Sequence, residues 1–441
     1  MFSVEADGLS DAFARPSRLD RASAIDDSEI RKGTNDESVE QTRSPLPFII
    51  ILILLRIRVA SVLEPVQSFI ILLLLTNPIS SFDQSAQIKH PPAQQSLIRW
   101  DTLHFLTTNS RTAEQDWAFA TGITSLLSHY SILTTSLLAA TASILSTLIL
   151  YQLTLKLSHS ASYSALVGLL HLFSPSPSTQ VVPYTEPFYA LFSFAAIYLI
   201  EAKHHWPAAI LAGIATSFRP IGVIQCLLWI PQWTIHLNRL INNPKQSSAL
   251  IRFITTSLKT LLLALITSAP FIYDQFSAYK HYCYQSSSPM FFNYTGIPSI
   301  YTFVQSHYWN NGFIYMDMCV YLRRSRVILP IADEAKLVIK QSGYRPFLDP
   351  RLQIHILIQL LLTSLLLFNS HVQIILRQIA TIPAFWWGLA DGISRHWNQQ
   401  QSSNQHNSHR IARSYWAWWF PWIVVWAPIS LVLWAGFYPP A

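Results

Sequence analysis

The chain has 441 residues, of which 51% are hydrophobic and only 12% charged, whereas a soluble domain carries about 25% charged residues. Apolar runs of membrane-crossing length alternate with short segments that hold most of the charge, and this excludes an ordinary water-soluble globule. The net charge of +7 comes without a basic cluster interleaved with aromatics, which argues against a nucleic-acid partner and fits the basic loops of a membrane protein.

Residues 1–45 are polar, mixed in charge and aperiodic, so they are expected to form a disordered cytosolic tail with no cleavable signal peptide. The transmembrane region is expected over 46–441. Its first apolar stretch, Leu46–Thr76, is interrupted by Arg56, Arg58 and Glu64; a helix from Val59 onward would leave the arginines at the interface. A polar loop is expected over 77–121. Gly122–Leu155 follows, long enough for a loop helix plus a span, and then Tyr163–Phe173 and Pro187–Ile200. Pro207–Ile230 comes next, with a break at Pro220 left open, and then Ile254–Tyr273. A second polar and aromatic loop is expected over 274–326, and after it a weak apolar stretch, Val327–Ile339. Ile354–Phe368, Val372–Leu389 and Trp416–Phe437 complete the set, with a polar loop at Trp397–Arg410. The pattern predicts an all-α polytopic membrane protein of about 8–10 spans. Lys156, Lys203, Arg239, Lys245, Arg252 and Lys259 mark cytosolic sides, but the orientation of individual spans stays open.

Chemistry-bearing motifs are sparse. Cys226, Cys283 and Cys319 have no metal-type spacing, and a Cys283–Cys319 disulfide would need an oxidising lumen. With 12 glycines in the whole chain, phosphate-cradling glycine loops are not expected. No Asp-x-Asp motif is present, so a reaction without a bound divalent ion is expected. Asn293-Tyr294-Thr295 is a glycosylation sequon, and a glycan there would place 274–326 in the lumen.

Polar residues gather instead near span ends. Arg99-Trp100-Asp101-Thr102-Leu103-His104-Phe105 is followed by Glu114-Gln115-Asp116-Trp117-Ala118-Phe119. A carboxylate beside a tryptophan at the membrane surface can serve as a general base for a lipid-borne substrate. The plainer alternative is an Arg99–Asp101 pair with Trp100 as an interfacial anchor, and a solvated loop face for Glu114 and Asp116. Arg219 lies inside an apolar run, which is costly unless it meets a ligand or a partner. It is therefore either a phosphate ligand or the ion-pair partner of an acid such as Glu186.

The Arg99–Phe105 and Glu114–Gly122 blocks together resemble the first luminal loop of the GPI mannosyltransferase 2 family. Phe173-Ser174-Pro175 leading to Pro183-Tyr184-Thr185-Glu186, Phe218-Arg219-Pro220-Ile221-Gly222, Tyr308-Trp309-Asn310-Asn311-Gly312-Phe313 and the ending Gly436–Ala441 resemble further blocks of that family in the same order. Pro220-Ile221 stands where the family has a Ser-Asn pair.

The resemblance implies a C-type glycosyltransferase fold in the endoplasmic reticulum membrane. It also implies inverting transfer of mannose from dolichyl-phosphate mannose to the first mannose of the GPI precursor, through an α-1,6 linkage. No cofactor is implied beyond that lipid donor; the partners are the donor, the GPI precursor, membrane lipid and an accessory membrane subunit. Asp101 is the first choice for general base and Glu114 the second, as base or acceptor-hydroxyl ligand. Trp100, His104, Asp116, Glu186, Arg219, Tyr308, Trp309 and Asn310 are the expected substrate-binding residues. A related transferase with another acceptor is the nearest alternative. A transporter is a more distant one, since it would carry inverted repeats and none is seen.

Overall fold

The computed structural model describes residues 97–107, 111, 114–282, 300–307, 350–369, 372–402 and 419–438, and every regular element among them is helical. The expected tail at 1–45, the stretches Leu46–Thr76 and Val327–Ile339, Cys283, Cys319, Asn293, Tyr308, Trp309 and Asn310 lie outside the described residues.

The predicted loop 77–121 contains helix α1, Asp101–Thr107, and a 3-10 turn, Glu114–Ala118. Gly122–Leu155 divides into α2, Thr121–His129, and α3, Ile132–Ser158, which is the loop helix plus span. Ser131 makes the division: its Oγ accepts from the Thr134 backbone N–H at 3.1 Å and so caps the N-terminus of α3. Helix α4, Ala161–Leu172, returns along α3. A 3-10 turn, Ser178–Gln180, then leads to α5, Glu186–Glu201, and α6, His205–Phe218.

Helix α6 stops where Pro220 dictates. The residue before a proline is driven out of helical geometry, and Arg219 has φ −144° and ψ 124°. A 3-10 helix, Pro220–Trp229, and α7, Ile230–Asn242, follow. The break at Pro220 is therefore real.

Helix α8, Ser247–Tyr282, has 36 residues and at about 1.5 Å per residue is far longer than a hydrocarbon core of about 30 Å. It corrects the expected loop boundary, because Asp274 is a buried residue of this helix and not the start of a polar loop. Its apolar face, with Leu258, Leu261 and Leu265, is exposed, as a lipid-facing surface would be. The remaining described helices are α9, Ile300–His307; α10, Pro350–Asn369; α11, Val372–Ile379; α12, Pro383–Ser402; and α13, Trp419–Ala435. Val372–Leu389 is thus two helices rather than one span, broken ahead of Pro383. The expected polar loop from Trp397 begins as helix, since α12 runs on to Ser402.

Among the described residues, α3 and α8 are long and apolar enough to cross a membrane, and α4, α10 and α13 contain shorter apolar segments. The chain is an all-α polytopic membrane protein. Small residues bring its central helices close: Ala208, Ala209, Ala212 and Ala215 of α6 are fully buried, and a Cβ on Gly213 would lie 2.8 Å from the Ile266 carbonyl oxygen of α8. Several polar groups buried on α3 find partners across the bundle. Ser143 Oγ donates to Gln180 Oε1 at 2.9 Å, Thr147 meets His171 at 2.8 Å, and Trp387 Nε1 donates to Thr154 Oγ1 at 2.9 Å.

Candidate active site

Four elements converge on a cluster of two carboxylates and two guanidinium groups. Glu186 opens α5, where the positive end of the helix dipole favours an acid and Pro187 sits in the first turn. Its side chain is 0% exposed. Oε1 accepts from Arg219 Nη1 at 2.6 Å and from Arg377 Nε at 2.7 Å. Arg219 is the C-cap of α6, fixed there by its backbone bond to the Ala215 carbonyl. Its Nη1 also donates to Thr185 Oγ1 at 3.0 Å, and the Gln378 carboxamide, turned so that its oxygen faces the guanidinium, accepts from Nε at 2.9 Å. Arg377 comes from α11, and its Nη2 donates to Asp101 Oδ2 at 2.7 Å. One guanidinium therefore links the expected base to the buried glutamate.

Tyr184 completes the frame. Its hydroxyl accepts from the Asp101 backbone N–H at 3.2 Å and donates to the Arg99 carbonyl at 3.3 Å. The Arg377 guanidinium lies over its ring at 4.7 Å. Burial, reinforced by the nearby Asp101 carboxylate, pushes the Tyr184 hydroxyl well above the usual phenol range, so it stays a neutral donor.

Burial sorts the two acids. Arg377 is 8% exposed and Glu186 not at all, whereas the Asp101 side chain is 32% exposed. Oδ2 of Asp101 is held by Arg377, and among the described residues Oδ1 takes no hydrogen bond. Asp101 is the carboxylate of this cluster that a ligand can reach.

Trp100 precedes it in the left-handed region at φ 51°, an expensive conformation for a bulky residue. Its indole Nε1 donates to the Tyr438 carbonyl at 2.6 Å, and its ring lies 5.8 Å from Phe437. Arg99 places its guanidinium over Phe437 at 4.9 Å and donates to the Ile98 carbonyl. The alternative of an Arg99–Asp101 pair is not what forms: Asp101 pairs with Arg377. His104 stacks on Phe119 at 5.2 Å.

The second acidic motif lies in the turn Glu114–Ala118. Asp116 is buried and Glu114 half-buried, so neither forms an open solvated face. Trp117 and Ala118 of this turn pack with Ala278 of α8 and with Ile300 and Val304 of α9. Arg111 ties the turn down: Nη1 meets Asp274 Oδ1 at 3.1 Å, Nη2 donates to the Phe119 carbonyl at 3.3 Å, and the guanidinium covers Trp117 at 4.6 Å.

The structure therefore joins Asp101, Glu186 and Arg219, and gives Arg219 the Glu186 ion pair that the sequence held open. Sequence reasoning missed Arg377, Tyr184 and Gln378. Arg377 carried the signal that singled out Arg219, an arginine inside an apolar run, but Val372–Leu389 read as one unbroken span. Tyr184 stood in the Pro183–Glu186 motif block without being singled out, and Gln378 gave no signal of its own. Among the described residues no group of His, Cys, Asp and Glu is arranged to hold a metal ion.

Comparison with known proteins bears on this cluster. Residues 42–319 and 328–441 match the family described as Mannosyltransferase (PIG-V), so the likeness begins well before Arg99. The chain is 28% identical to GPI mannosyltransferase 2 of Cryptococcus neoformans, over 87% of this chain and 97% of that protein. It is 27% identical to GPI mannosyltransferase 2 of Aspergillus fumigatus, over 80% and 83%, and 26% identical to that of Yarrowia lipolytica, over 85% and 96%. No solved structure matches.

Proposed function

The chain belongs to the mannosyltransferase (PIG-V) family, and on that premise we propose that it adds the second mannose of the glycosylphosphatidylinositol anchor. In this reading dolichyl-phosphate mannose is the donor, the 6-hydroxyl of the first mannose of the GPI precursor is the acceptor, and the endoplasmic reticulum membrane is the site. The names of the relatives, GPI mannosyltransferase 2, support the pathway. The donor, the α-1,6 linkage and the inverting course come from the resemblance of the motif blocks.

The observation that carries the mechanism is the partly exposed Asp101 carboxylate, held through one oxygen beside a buried charge cluster. Inverting transfer needs a base on the acceptor side of the sugar. Asp101 takes the proton from the acceptor hydroxyl as that oxygen bonds to the anomeric carbon, and the bonding pair leaves with dolichyl phosphate. General-base assistance of this kind contributes roughly 10²–10⁴-fold. Two arginines in the cluster supply positive charge in a poorly hydrated setting, where it acts most strongly on the phosphate charge that develops. Trp100, His104, Glu114, Asp116, Tyr308, Trp309 and Asn310 are assigned to substrate binding as the motif blocks suggest, with Glu114 the reserve base. Glu186 and Arg219, whose hydrogen bonds are largely spent on each other and on Thr185, Arg377 and Gln378, organise the site.

Complementation tests the reading. In cells lacking the second GPI mannosyltransferase, the wild-type chain restores anchored surface proteins. Asp101→Ala, expressed to the same level, leaves a precursor with a single mannose to accumulate. Failure of well-expressed wild type to rescue would overturn the assignment.

A further inference from the structure

Arg377 is the residue through which the buried half of the cluster reaches its open half. Its Nε is committed to Glu186 Oε1 and its Nη2 to Asp101 Oδ2, each at 2.7 Å. The plane of the guanidinium is backed by the Tyr184 ring at 4.7 Å. Glu186 cannot yield, because it is also held by Arg219 at 2.6 Å and accepts from Thr185 Oγ1 at 3.2 Å. A guanidinium fixed on one edge by an immobile carboxylate presents its other N–H groups in a set direction, since its donors form a rigid planar fork.

We infer that Arg377 is a positioning residue for mannosyl transfer, fixing Asp101 Oδ2 so that Oδ1 is left to the acceptor hydroxyl, with Glu186 as the anchor that keeps Arg377 in place. This rests on the reading of Asp101 as the base. Positioning within about 1 Å matters here, because a displaced catalytic group costs on the order of 10²-fold in rate.

The charge balance gives the arrangement a second consequence. At rest the carboxylates of Asp101 and Glu186 balance the guanidinium groups of Arg219 and Arg377. In the transfer the acceptor proton moves to Asp101, the bond from the anomeric carbon to phosphate oxygen breaks, and the lipid phosphate passes from singly towards doubly negative. Asp101 becomes neutral in the same step, so the cluster gains a net positive charge as the leaving group gains a negative one. The charged groups facing Asp101 are Arg377 and, through it, Glu186 and Arg219, with Arg99 on its own segment; Tyr184 faces it as a neutral hydroxyl, and His104 is the other titratable group of that segment.

A double-mutant cycle on membrane-embedded full-length enzyme tests this, using dolichyl-phosphate [³H]mannose, a single-mannose GPI acceptor and normalisation to folded protein. Arg377→Gln is expected to lower kcat by about 10²-fold with both KM values within about threefold, and Arg377→Lys, which keeps charge but loses the fork, by about tenfold. In the Asp101→Asn background, adding Arg377→Gln is expected to change kcat by less than about threefold, because the group it positions is already gone. Multiplicative losses in the double variant would overturn the proposal, as would a kcat for Arg377→Gln equal to wild type. If neither Arg377 variant accumulates as folded protein, Arg377 belongs to folding alone and the proposal fails. Inactive wild type would instead sink the functional assignment, and an active Asp101→Asn the choice of base, so the three failures are separate.

Discussion

Glu186 is where the stability of the site is concentrated at the level of single residues. It is fully buried and takes a hydrogen bond from each of two arginines, and removing one member of such a buried ion network leaves uncompensated charge in a medium of low dielectric. Glu186→Gln is expected to cost about 3–5 kcal/mol, read as a lowered unfolding temperature of the detergent-solubilised protein. Asp101→Asn, at a position 32% exposed and leaving Arg377 paired to Glu186, is expected to keep a near wild-type transition while losing turnover. A fall in unfolding temperature for Asp101→Asn as large as that for Glu186→Gln would contradict this division of labour. Arg219 was legible in the sequence because an arginine in an apolar run is too costly to be idle, whereas Asp101 and Glu186 stood out through the motif blocks that resemble the family. Arg377 obeys the same rule, yet it was hidden in a stretch that hydropathy alone reads as one span. Its partners lie far away in sequence, and no local pattern records them.

Among elements, the junction between α6 and the 3-10 helix decides where Arg219 points. Pro220 ends α6, and Gly222 lets the chain fold back against it: a Cβ at Gly222 would fall 2.7 Å from Thr216 Cα and 2.7 Å from its Oγ1. Gly222→Ala therefore forces the 3-10 helix away from α6 and takes Arg219 with it. Overpacking of this kind costs about 1–3 kcal/mol, and the variant is expected to show both a lower unfolding temperature and reduced turnover. Unchanged values of both would show that the junction is not tightly packed. Breaks of this sort were legible where their chemistry is local. Pro220 after α6 is such a case, and the break is found; the division of Gly122–Leu155 rested on its length alone, and Ser131, whose cap makes it, gave no sign in the sequence reading. The break between α11 and α12 was not anticipated, since both flanks are apolar and Pro383 stood inside the run. The far end of α8 was misplaced for the opposite reason: Asp274 looks like the start of a loop until Arg111 is brought to it.

For the molecule as a whole, composition and the spacing of apolar runs were enough to specify an all-helical membrane protein, because the bilayer allows few other solutions to backbone hydrogen bonding. They do not specify how distant segments close around the site. The clearest case is the meeting of residues 97–101 with the last turn of the chain. There Trp100 and Phe437 both adopt positive φ, at 51° and 64°, and the Trp100 indole is bonded to Tyr438. A strained tryptophan next to the expected base, held by a segment more than 300 residues away, is set by tertiary structure alone. The direct test of the whole account is transfer of labelled mannose from dolichyl-phosphate mannose to a purified single-mannose GPI precursor, by wild-type protein and by Asp101→Asn. Wild type is expected to form a two-mannose product with a new α-1,6 linkage, and the variant to form it about 10²–10⁴-fold more slowly. An undiminished rate with Asp101→Asn, or no product from folded wild type, would contradict it.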